Sequence, residues 1–431
     1  MRSAWRHALA PLLVPVVFLV LQVAGGAPHT TFPDTTRYAR AAEQHAGHGR
    51  DEAQATAVRY FCAQRARAEG REAALDALPP DLGDVVAKSE AACLRRFGGL
   101  ADVTTTDARY QSIFTSRWAY PWTLVPFTAT LGLADGLRVH GLLVTGGCAL
   151  LAFGLLRCAG LGRRAAMAGQ VALLATPLGW WSLQPLTEGL TLACVLGSVW
   201  GAVGLLRTKG NKPSPLPYAA LLAGSLVACF LVRYSTSLLL SGAVAAAGAL
   251  IALVRRRGAI APVGGALWVT AVAGVATLAG AGAIAALGLP SSTVTLQDTF
   301  TKHFRLPLVP DPWPRLWDLN WAYWSHWWGE QVTQPYFLAL TAAACWALWH
   351  RARELGLLCA LIALLGAAQV AAHPLVGEAE RLGVLMWLPV ALGLPFLPGA
   401  WVERARAKAT MEADRARTED TVRASEPLNS R

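Results

Sequence analysis

Charge is scarce in this 431-residue chain: Asp, Glu, Lys and Arg together make up 15% of it, against 54% hydrophobic residues. That ratio excludes an ordinary soluble domain, where about a quarter of residues are charged. A glycine-rich phosphate loop of the Gly-x-x-x-x-Gly-Lys-Ser/Thr kind is missing, which argues against an ATP-driven pump. So is a Gly-x-Ser-x-Gly elbow, the mark of many serine hydrolases. No clear internal repeat is found, which argues against transporter folds built from repeated halves. Cysteine is sparse, eight residues in all, and only Cys62 and Cys93 stand in a long polar segment.

What the chain does hold is a series of apolar runs long enough to cross a hydrocarbon core of roughly 30 Å. The pattern predicts an all-α polytopic membrane bundle of about ten spans: residues 8–23, 136–156, 164–181, 186–206, 218–232, 235–254, 259–287, 335–349, 355–372 and 382–401. The first run follows Arg2 and Arg6 and has the make-up of a signal peptide or an anchor; the many spans after it favour an anchor. Residues 1–401 form the expected membrane domain, and the charged tail 402–431 is expected to be disordered. The alanine, glycine and arginine bias fits a GC-rich bacterial genome.

The net charge of +11 sits mainly in alternate short loops and the tail, where positive-inside orientation puts it. This implies a plasma-membrane protein with both termini cytoplasmic, and membrane lipids rather than nucleic acid as neighbours. The loops opposite are poor in lysine and arginine, carrying Arg233 and Arg381. Two long segments, 27–117 and 290–334, then face outward. The first contains helical patterns over 51–68 and 81–96, expected to lie on the outer leaflet. An outward location makes a Cys62–Cys93 bridge one reading, worth roughly 3 kcal/mol; two small buried thiols are the other.

Ionisable residues at a membrane edge are expensive unless paired or functional. Asp34, Arg37, Arg109, Arg117, Glu188, Arg233, His373, Glu378, Glu380 and Arg381 come from distant spans, yet fall at one depth in this topology. Asp34 reads either as a helix N-cap or as a general base. Glu188 reads as an acid favoured by a helix N-terminus or as a second functional acid. Arg381 reads as an anchor paired with Glu378 or as an anion ligand.

PDTTRYARAA, with Asp34 and Tyr38, places an acid and a tyrosine just past the first span. RYQSIFTSRWAYPWTLVPF (109–127) re-enters the membrane with arginines and aromatics. Together with LTEGL (186–190), VRYSTSLLL (232–240) and HPLVGEAERL (373–382), these segments resemble the GT-C class of integral-membrane glycosyltransferases, mannosyltransferase-like enzymes that use polyprenyl- or dolichyl-phosphate sugars. The resemblance covers most of residues 8–400, and departs from the class in one respect: many members carry a paired acid where this chain has Asp34 alone. It implies sugar transfer from a polyprenyl-phosphate donor to an acceptor on the extracytoplasmic face. Asp34 would be the base. Arg381, Arg233 and Arg109 would hold the donor phosphate, and Glu188, Tyr38 and His373 would line the substrate site. A divalent metal is left open as a cofactor. The alternatives are a transporter or lipid-linked-sugar flippase, and a GT-C-like protein without activity.

Two further patterns carry weaker chemistry. Trp313, Trp317, Trp321, Trp324 and Trp328 recur at helical spacing, which suits an interfacial helix or a surface that stacks on sugar or grips a prenyl chain; His303 and His326 share that loop. His45 and His48, with Asp51 and Glu52, have loose metal-ligand spacing but lack a third histidine nearby.

Overall fold

A computed structural model describes residues 2–25, 31–208, 214–258 and 262–400. The expected tail lies outside them. Every regular element among the described residues is helical, with no strand. Six helices are long and apolar enough to cross a membrane: Leu133–Cys158, Glu188–Arg207, Leu216–Gly258, Gly264–Ala286, Arg353–Ala372 and Val376–Ala400.

The expected count of about ten is not reached by that measure, for identifiable reasons. The first helix, Arg2–Ala24, carries the apolar stretch Leu9–Ala24, and Tyr336–Arg351 is short, with 16 residues. The 164–181 segment breaks at Thr176, extended at φ −94° and ψ 169°, into Arg163–Ala175 and Pro177–Leu183. Pro177 drives its predecessor out of the helical region. The segment from Val376, counted among the six, alternates short α and 3-10 pieces, with Pro389 and Pro395 removing backbone donors.

Helix Leu216–Gly258 contains a break of another kind. Arg233 has non-helical backbone angles, φ −158° and ψ 84°. Ser237 Oγ donates to the Leu226 carbonyl at 2.8 Å, eleven residues away, which a continuous helix would separate by about 16 Å. The chain therefore reverses at Arg233, between the two segments expected from sequence.

Small residues allow the bundle to close. A Cβ on Gly201 would sit 2.7 Å from Leu222 N, and one on Gly265 would sit 2.2 Å from Leu205 O, so these helices approach backbone to backbone. Polar side chains mend helix defects. Pro15 lacks the N–H that would bond Pro11 O, and Gln170 Nε2 donates to that carbonyl at 2.9 Å. Arg138 Nη2 donates to Gln22 O and Val23 O at the end of the first helix.

The polar segment after the first helix folds as Pro33–His45, Arg50–Ala73, Leu82–Phe97 and Ala108–Thr115. Asp81 caps Leu82–Phe97, accepting from Gly83 N and Asp84 N. Cys62 and Cys93 are bridged, within a small core of Val58, Phe61, Leu94 and Phe97. Tyr38, Ala39, Ala42, Ala57 and Tyr60 belong to the main core of the bundle, so this segment packs onto the bundle's end.

Candidate functional site

Four elements deliver charge to that end. Asp34 lies in the first turn of Pro33–His45, Glu188 in the first turn of its helix, Arg233 at the chain reversal, and Arg381 in the short helix Val376–Leu382. Asp34 is not the N-cap: that position is Phe32, with no side-chain cap bond. Its carboxylate instead accepts from Arg381 Nη1 at 2.9 Å and from Arg37 Nη1 at 3.5 Å.

Arg381 is 8% exposed. Its Nη2 donates to Glu378 at 3.2 Å, and its Nε lies 3.5 Å from Glu188 Oε1 without a hydrogen bond. Arg233 Nη1 donates to the same Glu188 oxygen at 3.2 Å. Arg117, following Ala108–Thr115, donates to the Tyr38 hydroxyl at 2.7 Å. Three atoms of this cluster are shut off from solvent with no hydrogen-bond partner: Arg381 Nε, Arg233 Nε and Glu188 Oε2. Buried polar groups are normally paired, so the network is unfinished.

Asp34, Arg117, Arg233, Glu378 and Arg381 line one cavity of about 290 Å³. Its remaining wall mixes polar groups such as Thr236 and Gln369, joined at 3.0 Å, with apolar ones such as Ile113, Leu239 and Ala368. His373 lines it as well, with Nδ1 2.6 Å from Thr299 Oγ1 and Nε2 3.4 Å from Glu378. Burial alone would raise the Asp34 pKa, but the Arg381, Arg37 and Arg117 cations outweigh it and hold the carboxyl below its ordinary value.

A strained turn borders the cavity through His303. Lys302, His303 and Phe304 have φ of 50°, 63° and 61°, and each non-glycine residue so placed costs roughly 1–2 kcal/mol. His303 Nδ1 lies 3.0 Å from Asp298 Oδ1, and its ring rests on Tyr110 at 4.6 Å. Arg305 ties the turn to the Thr104 carbonyl.

Not every expected residue is brought in. Arg109 lies outside the cavity lining: it is exposed, paired with Asp107 at 2.9 Å, and set over the Phe304 ring. Arg117 takes the place expected for it. Tyr38 is buried beneath the site, holding Arg117. Glu188 is buried behind the arginines rather than at the cavity surface. Arg37 is closed off by the Asp102 carboxylate at 2.9 and 3.1 Å, with its guanidinium against Tyr110 and Phe114.

Of the tryptophan stripe, Trp313, Trp317, Trp321 and Trp328 face away from the protein, while Trp324 packs on the Val370–Ala379–Leu382 cluster. His45 stacks on Trp122, and His48 pairs with Glu43 and Glu52. Among the described residues no group of three or more His, Cys, Asp or Glu converges as metal ligands. Comparison with protein-family models, curated proteins and solved structures yields no match.

Proposed function

We propose that this chain is a multi-pass membrane glycosyltransferase that moves a sugar from a polyprenyl-phosphate donor to an acceptor on the extracytoplasmic face. In this reading the broken and short apolar helices complete a set of about ten spans, and both termini are cytoplasmic by the positive-inside rule. The observation that carries it is the Asp34–Arg381 pair: two residues 347 apart in sequence, 2.9 Å apart in space, in the wall of a cavity that also presents Arg117 and Arg233.

The chemistry follows from those groups. Arg381, Arg233 and Arg117 receive the donor phosphate, and the apolar wall receives the start of its prenyl chain. The acceptor oxygen forms a bond to the anomeric carbon. The carbon–oxygen bond to phosphate breaks, and its electron pair leaves with the phosphate, where fixed guanidinium groups stabilise the charge. The acceptor's proton goes to Asp34. Free of ligand, Asp34 is too well stabilised as a carboxylate to be a strong base. A phosphate that draws Arg381 to itself removes that stabilisation and raises the Asp34 pKa as the reaction needs it.

A transporter or flippase is the second reading. The ionisable residues gather at one end of the bundle rather than half-way along it, unlike the central sites of repeat-built transporters. The test uses purified protein in liposomes given a polyprenyl-phosphate sugar and an oligosaccharide acceptor, with release of lipid phosphate as the readout. Asp34→Asn should lower turnover about 10²–10⁴-fold. Equal turnover in both proteins removes Asp34 as the base, and lipid movement without release establishes the flippase.

A further inference from the structure

Helix Val376–Leu382 has two faces and lines two cavities. Glu378, Arg381 and Leu382 face the cationic one; Val376, Ala379 and Glu380 face another, of about 320 Å³. We propose that this second cavity is a saccharide site, and that in the reaction above it holds the acceptor. The acceptor assignment rests on the proposed function; saccharide binding does not.

The walls argue for the ligand class. Trp181, Tyr323, Trp327, Tyr336, Phe337 and Trp387 supply aromatic surface, and among the described residues no lysine or arginine lines the cavity. The rings brace one another edge to face: Trp327 on Phe337 at 6.0 Å and 76°, Phe337 on Trp387 at 4.8 Å and 61°. Glu380, Glu330 and Gln331 contribute acceptors to the same walls. Glu380 is exposed, so its carboxylate is open to a ligand's donors.

A phosphate is disfavoured, because it would meet two carboxylates, and the His326 imidazole in the same wall already lies 3.2 Å from Glu330. A prenyl chain is disfavoured, because it would lie against those carboxylates. A saccharide meets both demands. Its C–H faces lie against the electron-rich ring faces, and its hydroxyls donate to Glu380 and Glu330. An organic ammonium is the competing ligand, since aromatic rings with carboxylates also attract cations.

Position supports the acceptor role. Trp181 of this cavity rests on Phe32 at 5.6 Å, and Phe32 lies under the Arg381 guanidinium, also at 5.6 Å. Asp34 is two residues on from Phe32. The wall between the two cavities is therefore only a few side chains thick, and the proposed base stands beside it.

The experiment titrates purified full-length protein with methyl glucoside, methyl mannoside, methyl galactoside and choline, following tryptophan fluorescence. At least one glycoside should give a saturable change, weakened about tenfold or more by Trp327→Ala and by Glu380→Ala, and retained in Arg381→Ala. Glu380 is exposed, so Glu380→Ala opens no buried cavity and the test survives if Trp327→Ala misfolds. Saturation by choline alone, by no glycoside, or equally in the folded variants overturns the proposal. With turnover in hand, Glu380→Ala should raise the acceptor KM and leave the donor KM unchanged. Turnover with an unaltered acceptor KM sinks the acceptor role while the transferase stands. Glycoside binding without turnover leaves the site and sinks the transferase.

Discussion

Two arginine clusters adjoin at the same end of the molecule, and they are finished differently. Arg37 is held mainly by Asp102, through two hydrogen bonds, between the rings of Tyr110 and Phe114, and reaches Asp34 at 3.5 Å. Asp102 is satisfied in turn by Thr104 N and Gln111. Arg381 and Arg233 share their carboxylates, leave an Nε each without a hydrogen bond, and border a cavity. A closed ion pair fixes the first polar loop in place. An open one leaves buried donors unpaired, and in the proposed reaction it is the phosphate site.

The comparison is most sharply broken at Arg381. Arg381→Lys keeps the charge but loses the planar fork that matches a phosphate, and should cut turnover about 10²–10³-fold with little change in melting temperature. Arg37→Ala should do the reverse. It leaves Asp102 buried with the weaker Arg40 contact at 3.6 Å as its counter-charge and should cost about 3 kcal/mol of stability, read as a lowered thermal midpoint in detergent. If both variants acted mainly on stability, the open cluster would be as structural as the closed one.

How much of this was legible in the sequence depended on whether long-range order or local capture decided a residue's place. Asp34, Glu188, Arg233 and Arg381 could be assigned to one depth because loop charge orients the spans, and the structure joins them. Arg109 and Arg117 sit eight residues apart in one segment, and nothing in their spacing separates them. The difference is local: Asp107, which caps the helix at Arg109 N, also binds the Arg109 guanidinium. Arg117, past the end of that helix, reaches inward to Tyr38. The left-handed turn at Lys302–Phe304 was invisible, since such backbone is signalled by glycine or asparagine and Thr-Lys-His-Phe holds neither. Periodicity found the tryptophan stripe but not its orientation. Tyr323 and Trp327, beside the stripe rather than on it, reach the cavity.

The peripheral helices offer an intermediate effect. Reducing the Cys62–Cys93 bridge, or Cys62→Ser with Cys93→Ser, releases a 31-residue loop and should lower stability by about 3–4 kcal/mol. Neither cysteine lines either cavity, so turnover at low temperature should hold. Acid tests Asp34 more gently. Its pKa lies below the ordinary 3.8, so its ion pairs stabilise the fold above that value and the contribution is lost as pH falls through the lowered one. The gap in melting temperature between wild type and Asp34→Asn should be full near pH 6 and shrink below pH 4. A gap that widens on acidification would mean that Asp34 is protonated in the folded protein.

Arg109→Ala should do least, and for that reason it tests the distinction between clusters most directly. Arg109 has the residue type and the segment expected of a phosphate ligand, and it differs from Arg117 only in where the fold leaves it. An exposed guanidinium holding an adjacent aspartate is screened by water and contributes little, so melting temperature and donor KM should both match wild type. Its one link to the site is the Phe304 ring beneath it, next to His303 in the strained turn. A donor KM raised as far as by Arg117→Ala would show that the turn, and the arginine resting on it, closes over the bound phosphate, and that the cationic surface reaches beyond the cavity wall seen without ligand.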